Sequence, residues 1–414
     1  MDVPRLRPQE SGSPKKVFLH IGAPKTGSTY LQNVLFQNKD PLSAAGVLFP
    51  YDDPSQCFFS MLDFRGIGWG GKRASQFRGQ WSAVATRARE WAGDTVLLSN
   101  ELFAGARPDR IEAGLATIQP ADVHVIFTAR DLARQLVSDW QEQVKHKHTV
   151  TLETFVSDLV ELGRDAPAPF GELFWGTHDA AYVLERWARF VPASNIHVVT
   201  VAHPGAPPDM LWRRYCAVTG LEADSYNIET PRVNQSMGVA ETELLRRMNF
   251  DAKHMAIEVY DPLVRMVLVD KILGGGSFKL TLPPEHMEWV TKRSQQLVDE
   301  LAGAGYRVEG DLSELIPRPS DHLPYVSPTD QSEADLASAA IRASTGLLLH
   351  SGRQRRRIIE LQQSLGTAPA SRGRWDVHAV RDRLSGPYWT VRGAGGRLLR
   401  RTGLRGAPSA GSSE

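Results

Sequence analysis

The sequence predicts an α/β protein built around a parallel β-sheet. Three apolar runs of strand length, at residues 17–21, 95–99 and 123–128, each end in a polar or glycine-rich turn and are followed by a stretch with helical periodicity. An apolar content of 42% in 414 residues is enough to bury a sizeable core around such a sheet. We therefore expect a ligand site at the edge of the sheet where the strands end.

The composition of the chain limits the classes of partner, metal site and compartment that we expect. A net charge of +1 gives no global sign of a nucleic-acid or membrane-surface partner, so any cationic pocket is local. Cys57 and Cys216 are far apart and lack metal-ligand spacing, which fits a reducing compartment and predicts no metal site. Residues 1–14 have no apolar run and predict a disordered lead, and no segment is apolar enough to span a bilayer. We expect a cytoplasmic protein.

The first strand, residues 17–21, continues through a glycine-flanked loop, residues 22–27, into a helix that begins at Ser28. The N-H groups of such a loop and the N-terminus of the helix direct positive charge at one place, and Lys25 adds a full charge. This stretch predicts an anion-binding loop. The alternative is an ordinary tight turn with a solvated lysine.

Gly22 and Gly27 have the glycine spacing of the loop in nucleoside triphosphatases, but Ser28 stands where those proteins have lysine, which argues against Mg-ATP chemistry. The sequence Pro-Lys-Thr-Gly-Ser-Thr at residues 24–29 instead resembles the 5'-phosphosulfate loop of bacterial-type sulfotransferases that use 3'-phosphoadenosine 5'-phosphosulfate (PAPS). The resemblance implies that the donor binds to the loop residues Lys25, Thr26, Gly27, Ser28 and Thr29.

The second strand, residues 95–99, ends in Asn100 and Glu101. A carboxylate at the end of a buried parallel strand is either a general base at the ligand edge or a first-turn residue that caps the next helix. Many sulfotransferases carry a glutamate or histidine at this topological place, so the resemblance implies that Glu101 removes the proton of the acceptor.

The third strand, residues 123–128, ends at Arg130, and the following helix carries Ser138 on its polar side, away from an apolar stripe expected to pack on the sheet. In the family, an arginine at a strand end and a serine in the next helix bind the 3'-phosphate, with the separation found here, 138 − 130 = 8. The residue types suit a phosphate monoester. The alternative is a helix-capping arginine and an exposed serine.

Lys25, Glu101 and Arg130 thus follow three different strands and are expected at the same edge of one sheet. Strands are also predicted at residues 46–50 and 195–201, and long loops at 52–71 and 166–176, which could line an acceptor pocket. Arg232, Asn234 and Ser236 are candidate lid residues. Residues 145–148, Lys-His-Lys-His, indicate a cationic helix end, with an anion contact as the alternative.

The resemblance implies a three-layer, P-loop-type α/β fold with a central parallel sheet. Residues 334–363, rich in alanine, arginine and leucine, predict a helical C-terminal extension. The domains are predicted as a sulfotransferase domain at 15–316, a proline-rich linker at 317–333 and a helical, then low-complexity basic tail at 334–414.

The implied reaction is transfer of the sulfuryl group from PAPS, without a metal, to a hydroxyl or amine of an unidentified carbohydrate, lipid or small natural product. In this reaction Glu101 acts as base and Lys25 stabilises the leaving phosphate. The alternatives are a small-molecule kinase and a catalytically inactive nucleotide-binding module.

Overall fold

The structure, a computed structural model, describes residues 14–230, 236–276, 278–318 and 324–364. Six strands in this part of the chain form one sheet, in which every neighbouring pair is parallel. The strands are β1 (Lys16–Gly22), β2 (Val47–Leu48), β3 (Thr95–Ser99), β4 (Asp122–Ala129), β5 (Ile196–Thr200) and β6 (Arg307–Glu309).

The strand order is β2-β3-β1-β4-β5-β6, so β1 lies between β3 and β4. The chain builds β2 and β3 on one side of β1 and then crosses to build β4, β5 and β6 on the other. Ligands of open parallel sheets bind in the crevice beside such a switch in strand order, at the carboxyl ends of the strands. The strand order therefore predicts a ligand site at the carboxyl ends of β1 and β4.

Helices flank the sheet, and the α/β fold class is confirmed. The π-helical segment Asp261–Leu273 follows α12 directly. The helices are α1 (Ser28–Gln37), α2 (Lys39–Ala44), α3 (Pro54–Arg65), α4 (Gln80–Glu90), α5 (Pro108–Ala116), α6 (Leu132–Lys145), α7 (Leu152–Leu162), α8 (Phe170–His178), α9 (Ala180–Ala188), α10 (Met210–Thr219), α11 (Val239–Asp251), α12 (Ile257–Tyr260), α13 (Met287–Gly303) and α14 (Glu333–Ser364).

Two apolar clusters form the interior. The first joins the five strands β1 to β5 to α1, α3, α4, α5, α9 and α10. The second contains the apolar stripe of α6, including the fully buried Trp140, together with α7, α8, α11 and the π-helical segment. The expectation that this stripe packs on the sheet is wrong, because its partners are helices of the second cluster.

The five strands predicted from sequence are confirmed, whereas β6 was missed because its three residues are at least partly exposed and carry no apolar run. The prediction of loops at 52–71 and 166–176 is wrong, since they contain α3 and α8. The Asp53 side chain accepts hydrogen bonds from the N-H groups of Ser55 and Gln56 and so caps α3, which ends at Gly66 with a φ of 66°. Phe174 of α8 is fully buried in the second cluster.

The chain divides into two compact units, Met1–Leu348 and Leu349–Glu414. The structure describes residues 349–364 of the second unit as the end of α14. The expected lead (except Pro14), the candidate lid residues Arg232 and Asn234, and the tail from residue 365 onward lie outside the described residues. Among the helices that are described, none has the length and hydropathy needed to cross a membrane.

Candidate functional site

The loop between β1 and α1 has the geometry of an anion cradle. Lys25 and Gly27 both adopt left-handed backbone conformations, with φ of 63° and 98°. Gly27 is the residue before the first turn of α1, and no side chain caps that turn. The first N-H groups of a helix have no partner inside the helix, so those of α1 are available to a bound anion.

Hydrogen bonds to β4 hold this loop in place. The Ala23 N-H donates to the Thr128 carbonyl at 2.7 Å, and the Thr128 hydroxyl donates to the Gly22 carbonyl at 2.8 Å. The buried Thr26 hydroxyl donates to the Ala23 carbonyl at 2.5 Å and lies 2.5 Å from the Thr128 hydroxyl. The side chain of Thr26 therefore shapes the loop, which leaves its backbone N-H as the group that can meet a ligand.

His20 lies in the sheet beneath the loop and is fully buried. Its Nδ1 is 2.9 Å from the Ser99 hydroxyl and its Nε2 is 3.3 Å from the Thr128 hydroxyl, so it joins three neighbouring strands. Burial lowers the pKa of His20 to about 4, against a smaller opposing contribution from the Gly22 backbone. The imidazole is thus neutral near pH 7 and acts as a structural support for the loop.

Glu101 lies beside the loop, as its position after β3 predicts. It opens the short turn Glu101–Gly105, and a Cβ at Gly22 would lie 2.9 Å from the Glu101 carbonyl oxygen. The half-buried carboxylate accepts a hydrogen bond from Gln32 Nε2 of α1 at 3.2 Å. This contact fixes the carboxylate next to the helix that begins at the loop.

Arg130 stands at the carboxyl end of β4, half-buried. Its Nε donates to Gln135 Oε1 at 3.0 Å and its Nη2 donates to the Arg134 carbonyl at 3.0 Å. No carboxylate of the described residues forms an ion pair with it, since Asp131 is paired with Arg134. Burial lowers the pKa of Arg130 to about 10, with Arg134 adding to the effect and Asp131 opposing it. The guanidinium is thus a cation without an ion-pair partner among the described carboxylates.

Gln135 connects Arg130 to the loop. Its Oε1 accepts from Arg130, while its Nε2 donates to the Pro24 carbonyl at 2.5 Å and contacts His178 Nδ1. His178 Nε2 in turn lies 3.2 Å from Asp139 Oδ1. Arg130 is thereby linked, through one side chain, to the residue that precedes Lys25. Sequence reasoning did not single out Gln135, because its role depends on contacts between distant segments.

Ser138 is half-buried on α6, and in the described part of the chain its hydroxyl has no hydrogen-bond partner. It lies three residues after Gln135 and four before Glu142, a spacing that places all three side chains on one face of the helix. Gln135 contacts the loop at Pro24 and Glu142 contacts it at Lys25. Ser138 therefore lies on the face of α6 that meets the loop.

Glu142 is a site residue that sequence reasoning missed. Its Oε2 lies 3.0 Å from Lys25 Nζ and 3.5 Å from Lys145 Nζ, and its Oε1 lies 3.5 Å from both His146 Nε2 and Arg265 Nη2. Burial alone would raise the pKa of Glu142, but Lys25, His146 and Lys145 hold it well below its usual range. Its spacing of four residues from Ser138 was the one available signal.

The cationic helix end at residues 145–148 is split between two environments. Lys145 and His146 face Glu142. Lys147 donates to the carbonyls of Lys253 and Met255, and the His148 ring packs against Phe170. The described residues contain no cluster of three or more side chains suited to hold a metal ion.

No protein-family profile matches the chain, and no curated protein is significantly similar to it. The chain is similar to the crystal structure of a sulfotransferase from Alicyclobacillus acidocaldarius. The two share 15% sequence identity and a TM-score of 0.42, over 72% of this chain and 97% of that chain. This similarity is too distant to assign a function.

Proposed function

We propose that this protein, within residues 15–316, is a sulfotransferase that moves the sulfuryl group of PAPS to a hydroxyl or amine of an acceptor. One observation carries the proposal. Arg130, a half-buried cation without a carboxylate partner in the described chain, is joined by Gln135 to the loop that carries Lys25. Two anion-binding positions at one sheet edge suit a donor that is anionic at both ends of its nucleotide.

The residues present fit that donor. The left-handed loop and the uncapped first turn of α1 suit the 5'-phosphosulfate, with N-H donors from Thr26 to Thr29 and the ammonium of Lys25. The guanidinium of Arg130 suits the 3'-phosphate, as does the hydroxyl of Ser138, which has no hydrogen-bond partner among the described residues. The strand order supports the same placement, because the loop follows β1 and Arg130 follows β4, which is the parallel neighbour of β1.

The chemistry is an in-line displacement at sulfur. The acceptor oxygen or nitrogen forms a bond to sulfur as the bond from sulfur to the bridging phosphate oxygen breaks. The acceptor proton passes to Glu101, and the leaving phosphate of adenosine 3',5'-bisphosphate (PAP) takes the electron pair. Lys25 and the loop N-H groups stabilise the charge that grows on this phosphate. Most of the acceleration comes from position and electrostatics, as in phosphoryl transfer.

The acceptor side is proposed next to the turn that follows α3. Phe64 of α3 packs edge-on against Phe103 of the Glu101–Gly105 turn, with ring centroids 4.9 Å apart. The partly exposed Trp69 stands edge-on to the His146 ring at 5.3 Å. Because His146 faces Glu142, the second contact brings an exposed aromatic ring to the Glu142 side of the site, where it can cover the apolar part of an acceptor.

A ligand series and a transfer assay test the proposal. PAP at ~100 times its dissociation constant should stabilise the protein by about 2.7 kcal/mol in a thermal-shift measurement, and Mg-ATP should stabilise it far less because Ser28 replaces the lysine of ATP-binding loops. Radiolabelled sulfuryl should then pass from PAPS to members of a carbohydrate, lipid and phenol library. Preference for Mg-ATP would favour the kinase, and PAP binding without any transfer would favour the inactive binding module.

A further inference from the structure

Lys25, the cation of the loop, is already neutralised by a residue of its own chain. Its ammonium lies 3.0 Å from the Glu142 carboxylate, and in the described part of the chain this is its one hydrogen-bond partner. The side chains are 28% and 23% exposed, so both are partly withdrawn from water and less screened than a surface pair. A donor anion that binds the Lys25 ammonium must therefore compete with the Glu142 carboxylate.

Three cationic or polar groups around Glu142 allow its ion pair with Lys25 to break. Lys145, His146 and Arg265 each lie 3.5 Å from one of its oxygens. Lys145 ends α6, His146 follows it directly and Arg265 belongs to the π-helical segment, so all three groups are separate from the loop. If Glu142 loses Lys25, its charge still has partners, so the exchange leaves no isolated buried carboxylate.

Two further carboxylates in this cluster are placed differently. Asp270 of the π-helical segment interacts electrostatically with Lys25 as well as with Lys145 and Arg265, but among the described residues no direct contact joins it to Lys25. Asp261 lies 3.8 Å from Arg265. Glu142 alone among the described carboxylates contacts the loop cation, which makes Asp270 a matched control for the effect of charge alone.

We infer that Glu142 is a resident counter-anion, whose carboxylate occupies on Lys25 the position that the 5'-phosphate group of a nucleotide takes when it binds. This inference rests on the proposed function. Before binding, Glu142 keeps Lys25 ordered in its left-handed loop conformation. On binding, Lys25 exchanges one anion for another, and repulsion between the two anions turns Glu142 toward Lys145 and Arg265. Glu142 is thus a positioning residue, and it weakens nucleotide binding by competition.

Isothermal titration with PAP tests the exchange at pH 8. E142Q should bind PAP three- to tenfold more tightly than the wild type, because the competitor on Lys25 is gone. The same substitution in a K25M background should change the affinity less than twofold. D270N, which removes a charge from the same cluster, should also change it less than twofold. Thermal unfolding of each free variant checks that it folds.

The results separate the possible failures. Unchanged or weaker PAP binding by E142Q overturns the exchange and leaves the proposed function intact. So does equal tightening in the K25M background or by D270N, since that is a general effect of charge. Absence of PAP binding by both the wild type and E142Q overturns both proposals. If E142Q does not fold, E142D keeps the charge and shortens the reach to Lys25, and tightening of twofold or more is then expected.

Discussion

Replacing Arg130 by methionine should remove recognition of the 3'-phosphate while leaving the remainder of the nucleotide site in place. The guanidinium uses one N-H for Gln135 and one for the Arg134 carbonyl, so N-H groups on both terminal nitrogens remain for a phosphate. A hydrogen bond to a charged group contributes about 1.5–3 kcal/mol. Loss of a two-point contact should therefore cost about 3 kcal/mol, which is ~10²-fold in the dissociation constant of PAP.

The assay compares two ligands by isothermal titration. PAP carries the 3'-phosphate and adenosine 5'-monophosphate does not, so Arg130→Met should weaken PAP binding ~10²-fold and change the binding of the monophosphate less than about threefold. Arg213→Met is the matched control, because it removes the same charge from a guanidinium already paired with Asp209 and Asp224. It should shift the affinities of both ligands equally.

Two outcomes would refute this reasoning. Equal loss of affinity for PAP and for the monophosphate would mean that Arg130 supports the whole site instead of a single phosphate. Unchanged PAP affinity would mean that Arg130 lies outside the nucleotide site. Thermal unfolding of the variant must show that it folds in both cases, because the substitution also removes the hydrogen bonds of Arg130 to Gln135 and to the Arg134 carbonyl.

Three further predictions concern the base, the loop and its support. Glu101→Gln should lower the turnover number by ~10²-fold or more in the transfer assay, with PAP affinity nearly unchanged, because the amide cannot accept a proton. Gly27→Ala should lower the free energy of unfolding by about 1–2 kcal/mol in urea, because its φ is 98° and the new Cβ would lie 2.5 Å from Leu211 Cδ2. Between pH 7 and pH 5, protonation linked to His20 should lower the free energy of unfolding of the wild type by about 2 kcal/mol. His20→Asn should lack this part of the decrease.

The sign of the pH effect follows from the neutral state of His20 in the folded protein. Its folded pKa is about 4, below the ordinary value of 6.5, so the unfolded chain takes up a proton first as the pH falls. The stabilisation is complete above pH 6.5 and is lost toward pH 4. An equal acid-induced loss in His20→Asn would contradict it.

The predictions for Glu101→Gln and Gly27→Ala would each be contradicted by an unchanged result. Unchanged turnover in Glu101→Gln would remove that carboxylate from the mechanism. Unchanged stability of Gly27→Ala would show that the loop relaxes around a side chain.

The strands that carry the site could be predicted from local sequence, because a short apolar run followed by turn residues is a signal contained in a few neighbouring positions. The loop after β1, Glu101 after β3 and Arg130 after β4 all follow this rule, and their shared edge follows from parallel pairing. The helix α3 was missed for a related reason, since its aromatic residues show no clean helical stripe and its start depends on the cap at Asp53.

The polar face of α6 could not be predicted in the same way. Gln135 and Glu142 look like ordinary solvated residues of an amphipathic helix. In the structure this face is largely covered, because α6 packs among other helices, and its polar groups find partners more than one hundred positions away at Pro24 and Lys25. Such contacts depend on tertiary placement, which local periodicity does not encode.

The most direct measurement is a crystal structure of the protein with PAP bound. The account predicts the 5'-phosphate on the N-H groups of residues 26–29 and on Lys25, and the 3'-phosphate within hydrogen-bond distance of Arg130 and Ser138. A nucleotide bound elsewhere, or one whose 3'-phosphate faces solvent while Arg130 remains unbound, would contradict it.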